Sequence, residues 1–517
     1  MPRTRRDLEE RLQTLEQSVR GGEPSAVDKQ HAEGKLTARE RIEALLDPGS
    51  FVEDFMLAES QATEFGMDKR RRPTDGVVVG SGTIDGRPVY VFAQDWGILA
   101  GTVGAAHGEK IAYAIQTALK LRVPVIGLWD SAGARIQEGL EVTKAIGKIF
   151  CSHSLASGAI PQVSAIMGPC IGVGSYAPAL TDVLLMVKGT SQMFITGPAV
   201  IKQVTGEEVT MEQIGGSRLH GEVSGCADVV ANDDRACLAE IRRLLGFLPS
   251  AFGEPGPRVP TDDDPDRRVD ELDTLVPDDM RKPYNVVKVI GQLVDDGEFF
   301  ELKPRWARSL AVGFGRLDGR SVGFVANQPM FLAGSIDVDA SDKAARFIRL
   351  CDAFDIPIVT LVDVPGFLPG YKQEAAGIIR HGAKMLYAYS EASVPKITVY
   401  LRKGYGGAKQ AMCTREMGAD LVLLWPGVEL GVMGAEGAVE VLYRREIESS
   451  ADPAATRREK IEEFTERFSG PFDALARQYA QAAIRPAETR RRLIQALRLH
   501  ERKQEDRPRK KHDVMPV

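Results

Sequence analysis

Short apolar runs closed by glycine alternate along most of this chain with longer segments of helical spacing. Residues 76–80, 88–93, 123–130, 162–167 and 397–401 are predicted to be strands buried on both faces, because their apolar runs are unbroken rather than alternating. Residues 104–121 and 375–392 read as helices. Ahead of them, Leu8, Leu12, Leu15 and Val19 share one face of a charged helix over 1–20, which Gly21-Gly-Glu-Pro24 breaks. A second helix over 35–46 carries a capping box, with Thr37 at the N-cap and Glu40 three residues on. Strands alternating with helices predict an α/β fold.

The pattern repeats itself. Residues 80–133 align with 313–366 at a constant offset of 233, and 17 of 54 positions are identical. Roughly three would be expected of unrelated sequences of ordinary composition. Asp85-Gly-Arg87 falls on Asp318-Gly-Arg320, Lys110 on Lys343 and Asp130 on Asp363. One residue further along, at an offset of 234, the strand after Pro161 falls on the strand after Pro395, and Gly172-Val-Gly174 on Gly406-Gly-Ala408. Two tandem copies of one domain are expected, over 1–255 and 284–517. Residues 256–283, rich in proline and aspartate, are expected to be a linker.

Composition narrows the classes. The net charge of −6 over 517 residues gives no basic footprint for nucleic acid. Six scattered cysteines form no C-x-x-C pair, and the seven histidines have no metal-ligand spacing, so no metal is expected. No apolar run reaches membrane-spanning length and the charged N-terminus is no signal peptide, so a soluble cytoplasmic chain with no membrane partner is expected.

Each copy has two strand-to-helix turns. They are Asp130-Ser-Ala-Gly-Ala134 with Cys170-Ile-Gly-Val-Gly174, and Asp363-Val-Pro-Gly-Phe-Leu-Pro-Gly370 with Gly404-Tyr-Gly-Gly-Ala408, the last within the longer stretch Arg402-Lys-Gly-Tyr-Gly-Gly-Ala-Lys-Gln410. Paired turns of this kind can present converging backbone amides to a developing oxyanion, so the duplication predicts two such holes. No nucleophile motif, phosphate-binding loop or dinucleotide fingerprint occurs. Gly382-Ala-Lys-Met385 approaches a biotin-attachment tetrapeptide, but it lacks the first methionine and lies in a predicted helix.

His31-Ala-Glu-Gly-Lys-Leu-Thr-Ala-Arg-Glu-Arg-Ile42, Asp130-Ser-Ala-Gly-Ala-Arg-Ile-Gln-Glu-Gly139, Asp363-Val-Pro-Gly-Phe-Leu-Pro-Gly370 and Gly377-Ile-Ile-Arg-His-Gly-Ala383 resemble the carboxyltransferase (β) subunit of biotin-dependent acyl-CoA carboxylases, most closely the propionyl-CoA carboxylase β-chain type. The resemblance runs from about residue 30 to the C-terminus. It implies tandem duplicated crotonase-like (ClpP/crotonase) ββα-spiral domains, a homo-oligomer of hexamer type, and active sites between two copies. It implies a ligase that moves CO2 from carboxybiotin, held on a separate biotin carboxylase/carrier subunit, to the α-carbon of an acyl-CoA. The amides of Gly172 and Val173 would hold the thioester oxygen, and those of Gly407 and Ala408 the ureido oxygen of biotin. Ala132, Gly133, Ala134, Arg135, Ile171, Gly366, Phe367, Gly406 and Gln410 would line the substrate sites. No side-chain base is then required, in keeping with the missing motifs.

The chain departs from the family's usual residues at Ile171 (Ala), Val173 (Gly), Tyr371-Lys372 (Thr-Ala), Lys409 (Tyr) and Gln410 (Asp). The Asp position shapes the acyl pocket, so a longer or branched acyl-CoA is expected in place of acetyl- or propionyl-CoA. The same fold also serves acyl-CoA decarboxylase and transcarboxylase subunits, and a catalytically silent assembly paralogue is a further alternative.

Overall fold

The structure, a computed structural model, describes residues 4–468 and 470–516. Two compact units divide the chain, Met1–Glu254 and Pro255–Val517. The first holds an eight-stranded sheet built from β1 (Val52–Asp54), β2 (Val77–Ile84), β3 (Arg87–Gln94), β4 (Val125–Ser131), β5 (Gln162–Ile171), β6 (Val183–Val187), β7 (Gln192–Phe194) and β8 (Val229–Ala231). Its order is β1-β2-β3-β4-β5-β6-β8, with β7 paired to the end of β5. β1 to β3 pair antiparallel and the rest parallel, in keeping with the ββα-spiral that the family resemblance implies.

The second unit repeats the plan with β9 (Phe299–Leu302), β10 (Leu310–Leu317), β11 (Arg320–Asn327), β12 (Ile358–Val364), β13 (Lys396–Tyr405), β14 (Leu421–Leu424), β15 (Glu429–Gly431) and β16 (Ala482–Ala483). The order is β16-β14-β13-β12-β11-β10-β9, with β15 paired to β13. The repeat extends to buried side chains. Lys110 Nζ donates to the carbonyls of Thr74 and Val77, at 3.0 and 2.5 Å. Lys343 Nζ donates to those of Lys303, Trp306 and Leu310, at 2.9, 2.9 and 2.7 Å. An ammonium taken from water has to recover its hydration from such carbonyls.

The helix Ala105–Leu121 buries Ile111, Ala112, Ala114, Ile115 and Ala118 completely against the first sheet. Emptying one such site, Ile115→Ala, costs about 3 kcal/mol by lost burial and the cavity left behind. The helix Ala38–Leu45 starts at the predicted capping box: Thr37 Oγ1 accepts from Glu40 N at 3.3 Å and Glu40 Oε2 from Thr37 N at 2.8 Å. The N-terminal helix is Arg5–Gly21, and its Leu8, Leu12 and Leu15 stay exposed.

Residues 256–283 lie within the second compact unit, with Val269 and Leu272 fully buried. The carbonyls of Pro277, Asp279 and Lys282 there accept from Arg402. The strands before the last turns are longer than predicted. β5 runs through Gly168 and Pro169 to Ile171, and β13 through Arg402 to Tyr405.

Candidate active site

In the first unit β4 and β5 end side by side, with Ser131 opposite Cys170. The chain then turns. Ala132 N donates to Ala100 O at 3.0 Å, Val103 N to Gly133 O at 2.8 Å and Arg135 N to Val103 O at 2.9 Å. Gly133 has φ +96°, and a Cβ on it would lie 2.8 Å from the carbonyl oxygen of Ile171. The two turns therefore touch, and only glycine allows it. Gly172, at φ +69°, reverses the chain into the short helix Gly172–Ser175, whose Ser175 Oγ donates to Gly172 O at 2.7 Å. The side chain of Val173 lies outside the described residues.

The second unit builds the same corner. Ile336 N donates to Gly366 O at 3.1 Å and Leu368 N to Ile336 O at 2.8 Å. Gly406, at φ +59°, turns the end of β13 into the helix Gly406–Ala411. That helix has no side-chain cap, and the N–H groups of Gly407 and Ala408 in its first turn find no partner inside it. Phe367 walls the corner. A Cβ on Gly382 would sit 2.9 Å from its ring and one on Gly407 3.9 Å. Gln410 lies on the same short helix, and its Oε1 accepts from the Thr414 hydroxyl at 2.6 Å. The structure thus brings Ala132, Gly133, Ala134, Ile171 and Gly172 to one corner, and Gly366, Phe367, Gly406, Gly407, Ala408 and Gln410 to the other.

Arg135 is the exception among the expected site residues. Its guanidinium is buried and engaged by Asp75 at 2.6 Å, Glu138 at 2.9 Å and the carbonyl of Thr102 at 2.7 Å. It braces the turn from behind and has no donor left to offer a ligand.

The cysteine thiols near the corners and the buried histidines His107 and His153 of the first unit are not poised for nucleophilic or base catalysis. Burial pushes the Cys170 thiol, next to Ile171, up to about 12, and the Cys413 thiol likewise up to about 12. His107 and His153 are buried and held neutral, their pKa values lowered by burial to about 3 and about 4. Among the described residues no group of three or more His, Cys, Asp and Glu is disposed to hold a metal ion. The chemistry available is backbone N–H donation to a developing oxyanion.

Two features escape a reading of the sequence. One is a cavity of about 770 Å³ in the first unit, between Ser18–Gln30 and Lys69–Thr74, floored by Asp95, Ile98 and Leu99. Arg20, Lys69, Arg70 and Arg72 line it, and so do Gln30 and Thr74, whose buried Oε1 and Oγ1 have no protein partner. Leu99 leads directly into Ala100, which accepts from Ala132, so the cavity and the first turn share a loop. The other is the pair of buried guanidinium–carboxylate contacts under the turns. The sequence signalled these only as Arg41 and Arg402 inside longer motifs.

A family model described as carboxyl transferase domain matches residues 29–515. The methylmalonyl-CoA decarboxylase subunit alpha of Propionigenium modestum is 50% identical over 497 residues, covering 96% of both chains. The propionyl-CoA carboxylase carboxyltransferase subunit of Haloferax mediterranei is 49% identical over 514 residues, covering 99% of this chain and 100% of its own. A crystal structure of transcarboxylase 12S, described as a hexamer in a multienzyme core with methylmalonyl-coenzyme A and methylmalonic acid bound, matches with a TM-score of 0.97. The sequence identity there is 48%, and the match covers 100% of this chain and 99% of that one.

Proposed function

This chain belongs to the carboxyl transferase family, and from that premise we propose how its two units share the reaction. It is the carboxyltransferase of a biotin-dependent acyl-CoA carboxylase, an enzyme that forms a carbon–carbon bond. In our reading the first unit takes the acyl-CoA. The second takes the biotin, which arrives on a separate carrier subunit. The amides of Gly172 and Val173 receive the thioester oxygen as negative charge builds on it. Those of Gly407 and Ala408 receive the ureido oxygen. The observation that carries the reading is the duplicated corner, with a left-handed glycine, Gly172 or Gly406, at the end of a buried strand in each unit.

The residues present fit a biotin ring. The second corner offers uncapped amide donors beside the flat apolar wall of Phe367, which suits a neutral ring with one polar oxygen. Bound biotin supplies the carboxyl group and the basic nitrogen that takes the α-proton of the substrate. The chain's own part is to hold both oxygens and keep the reacting atoms in line.

The cavity in the first unit suits the nucleotide end of CoA. Cationic side chains line it for phosphates, Gln30 and Thr74 have open hydrogen-bonding atoms for a base or sugar, and the shared loop leads to Ala132. Large apolar side chains stand exposed beside both corners: Ile136 and Leu140 after the first turn, Tyr371, Ile379 and Val432 around the second. A second copy of the chain covering them would complete each site, as part of a cytoplasmic hexamer.

We propose that the acyl group is longer or more branched than propionyl. The supporting residue is Gln410, which brings no charge and is tethered to Thr414. The names of the relatives, methylmalonyl- and propionyl-CoA enzymes, support a C3 group instead. Carboxylation assays over acyl-CoAs of graded length with a reconstituted carrier decide. Propionyl-CoA outperforming every longer acyl-CoA would remove the Gln410 argument, and so would a Gln410→Asp change that leaves the preference untouched.

A further inference from the structure

Each corner rests on a buried aspartate, and each aspartate is met by a guanidinium of different origin. Asp130 and Asp363 are the last residues but one of β4 and β12. Their backbone N–H groups are held alike, by Gln94 Oε1 at 3.1 Å and Asn327 Oδ1 at 3.2 Å. At each aspartate the neighbouring strand bulges. The register jumps from Trp129–Ile166 to Ser131–Cys170 in the first unit, and from Val362–Tyr400 to Val364–Gly404 in the second. The bulge aims the last residues of β5 and β13 toward their turns.

In the second unit the cation sits in the bulge itself. Arg402 Nε and Nη2 each lie 2.9 Å from Asp363 Oδ2, and Nη1 reaches the carbonyls of Asp279 and Lys282 at 3.0 and 2.9 Å. At the offset of 234, the first-unit counterpart of Arg402 is Gly168. No side chain fits there, since a Cβ would lie 2.0 Å from Asp130 Oδ1. The cation comes instead from the helix Ala38–Leu45. Arg41 Nη1 donates to Asp130 Oδ2 at 2.9 Å, Nη2 to the bulge carbonyl of Met167 at 2.9 Å, and Nε to Asp234 at 2.7 Å. Lys35 adds a second cation to Asp130 at 2.7 Å. Both arginines are almost wholly buried.

Two residues from unrelated positions of the repeat deliver a guanidinium to one place, against the same aspartate, beside the same bulge. We infer that Arg41 and Arg402 are positioning residues, each fixing the strand end that carries its own unit's oxyanion turn, so that Arg41 governs the acyl-CoA half of the transfer and Arg402 the biotin half. This rests on the assignment of acyl-CoA to the first unit and biotin to the second. A lysine cannot make the several directed bonds of either guanidinium, so it restores charge without geometry.

The test is the reverse transfer from methylmalonyl-CoA to free biotin by the purified full chain, read as separate KM values for the two substrates. Arg41→Gln is expected to lower kcat, because an oxyanion donor moves, and to raise KM for the CoA substrate about tenfold with the biotin KM unchanged; Arg402→Gln is expected to lower kcat and to raise the biotin KM instead. Arg41→Lys and Arg402→Lys, which keep the buried charge, are expected to fold if the glutamine variants do not, and to show the same split at smaller size. A split with the substrates exchanged would uphold the positioning role and overturn the assignment of the units. A lower kcat with both KM values unchanged in all four variants would overturn the inference.

Discussion

Gly172 and Gly406 carry the account at the scale of single residues. Each sits at positive φ, where an added Cβ strains the backbone by about 1–2 kcal/mol. Gly172→Ala and Gly406→Ala are expected to lose roughly tenfold or more in transfer rate, because an oxyanion donor moves, with only a modest fall in thermal unfolding temperature. Equal activity in both variants would remove the turns from the mechanism. His107 gives a pH prediction. Its Nδ1–H donates to Asp75 O at 2.9 Å and its Nε2 meets Gln94 Nε2 at 3.1 Å, while Gln94 Oε1 accepts from Asp130 N. The network needs a neutral ring, and burial lowers its pKa from 6.5 to about 3. With the folded value depressed, the unfolded chain binds the extra proton first as pH falls. Stability is therefore full above about 6.5 and drains toward 3, by at most about 1.4 kcal/mol per pH unit. Denaturation midpoints measured from pH 7 to 4 should fall, and more shallowly in His107→Gln if that variant folds. The glycines were legible as turn residues because φ > 0 leaves few alternatives. Arg135 was not legible, since a motif arginine reads the same whether it faces a ligand or, as here, Asp75 and Glu138.

Among the elements, the predicted strands, the helix 104–121 and the capping box at Thr37 were readable from periodicity, because burial on both faces and the 3.6-residue repeat leave local signatures. Strand ends were less readable. Gly168 and Pro169 look like a turn in sequence, yet they lie in β5, where a bulge tolerates both residues. The same holds for Lys403 and Gly404 in β13. The helix Ala38–Leu45 links its own stability to the site through Arg41. Thr37→Ala removes its cap and is expected to cost about 1 kcal/mol in chemical denaturation. The KM for acyl-CoA should rise while that for biotin stays put. An unchanged unfolding midpoint would mean that the cap is redundant with the packing of the helix.

For the molecule as a whole, the internal repeat and the motif order made the duplicated fold legible. The 770 Å³ cavity was not legible, since its walls come from segments between Ser18 and Leu99 that carry no common pattern. Among the described residues the one near-match to a biotin-attachment motif is in the wrong context: Lys384 lies within the helix Ile378–Glu391, paired to Asp342 at 2.8 Å. The purified chain given ATP and bicarbonate alone is therefore expected to fix no carbon, and fixation by it unaided would contradict a separate carrier. The most direct test of carboxyl transfer is to present the chain with a carrier protein already bearing carboxybiotin and to follow its loss against added acyl-CoAs. Acyl-CoA-dependent discharge is expected, with one substituted malonyl-CoA formed per carboxyl group consumed. Carrier discharge that no acyl-CoA accelerates, with no malonyl-type product, would contradict it.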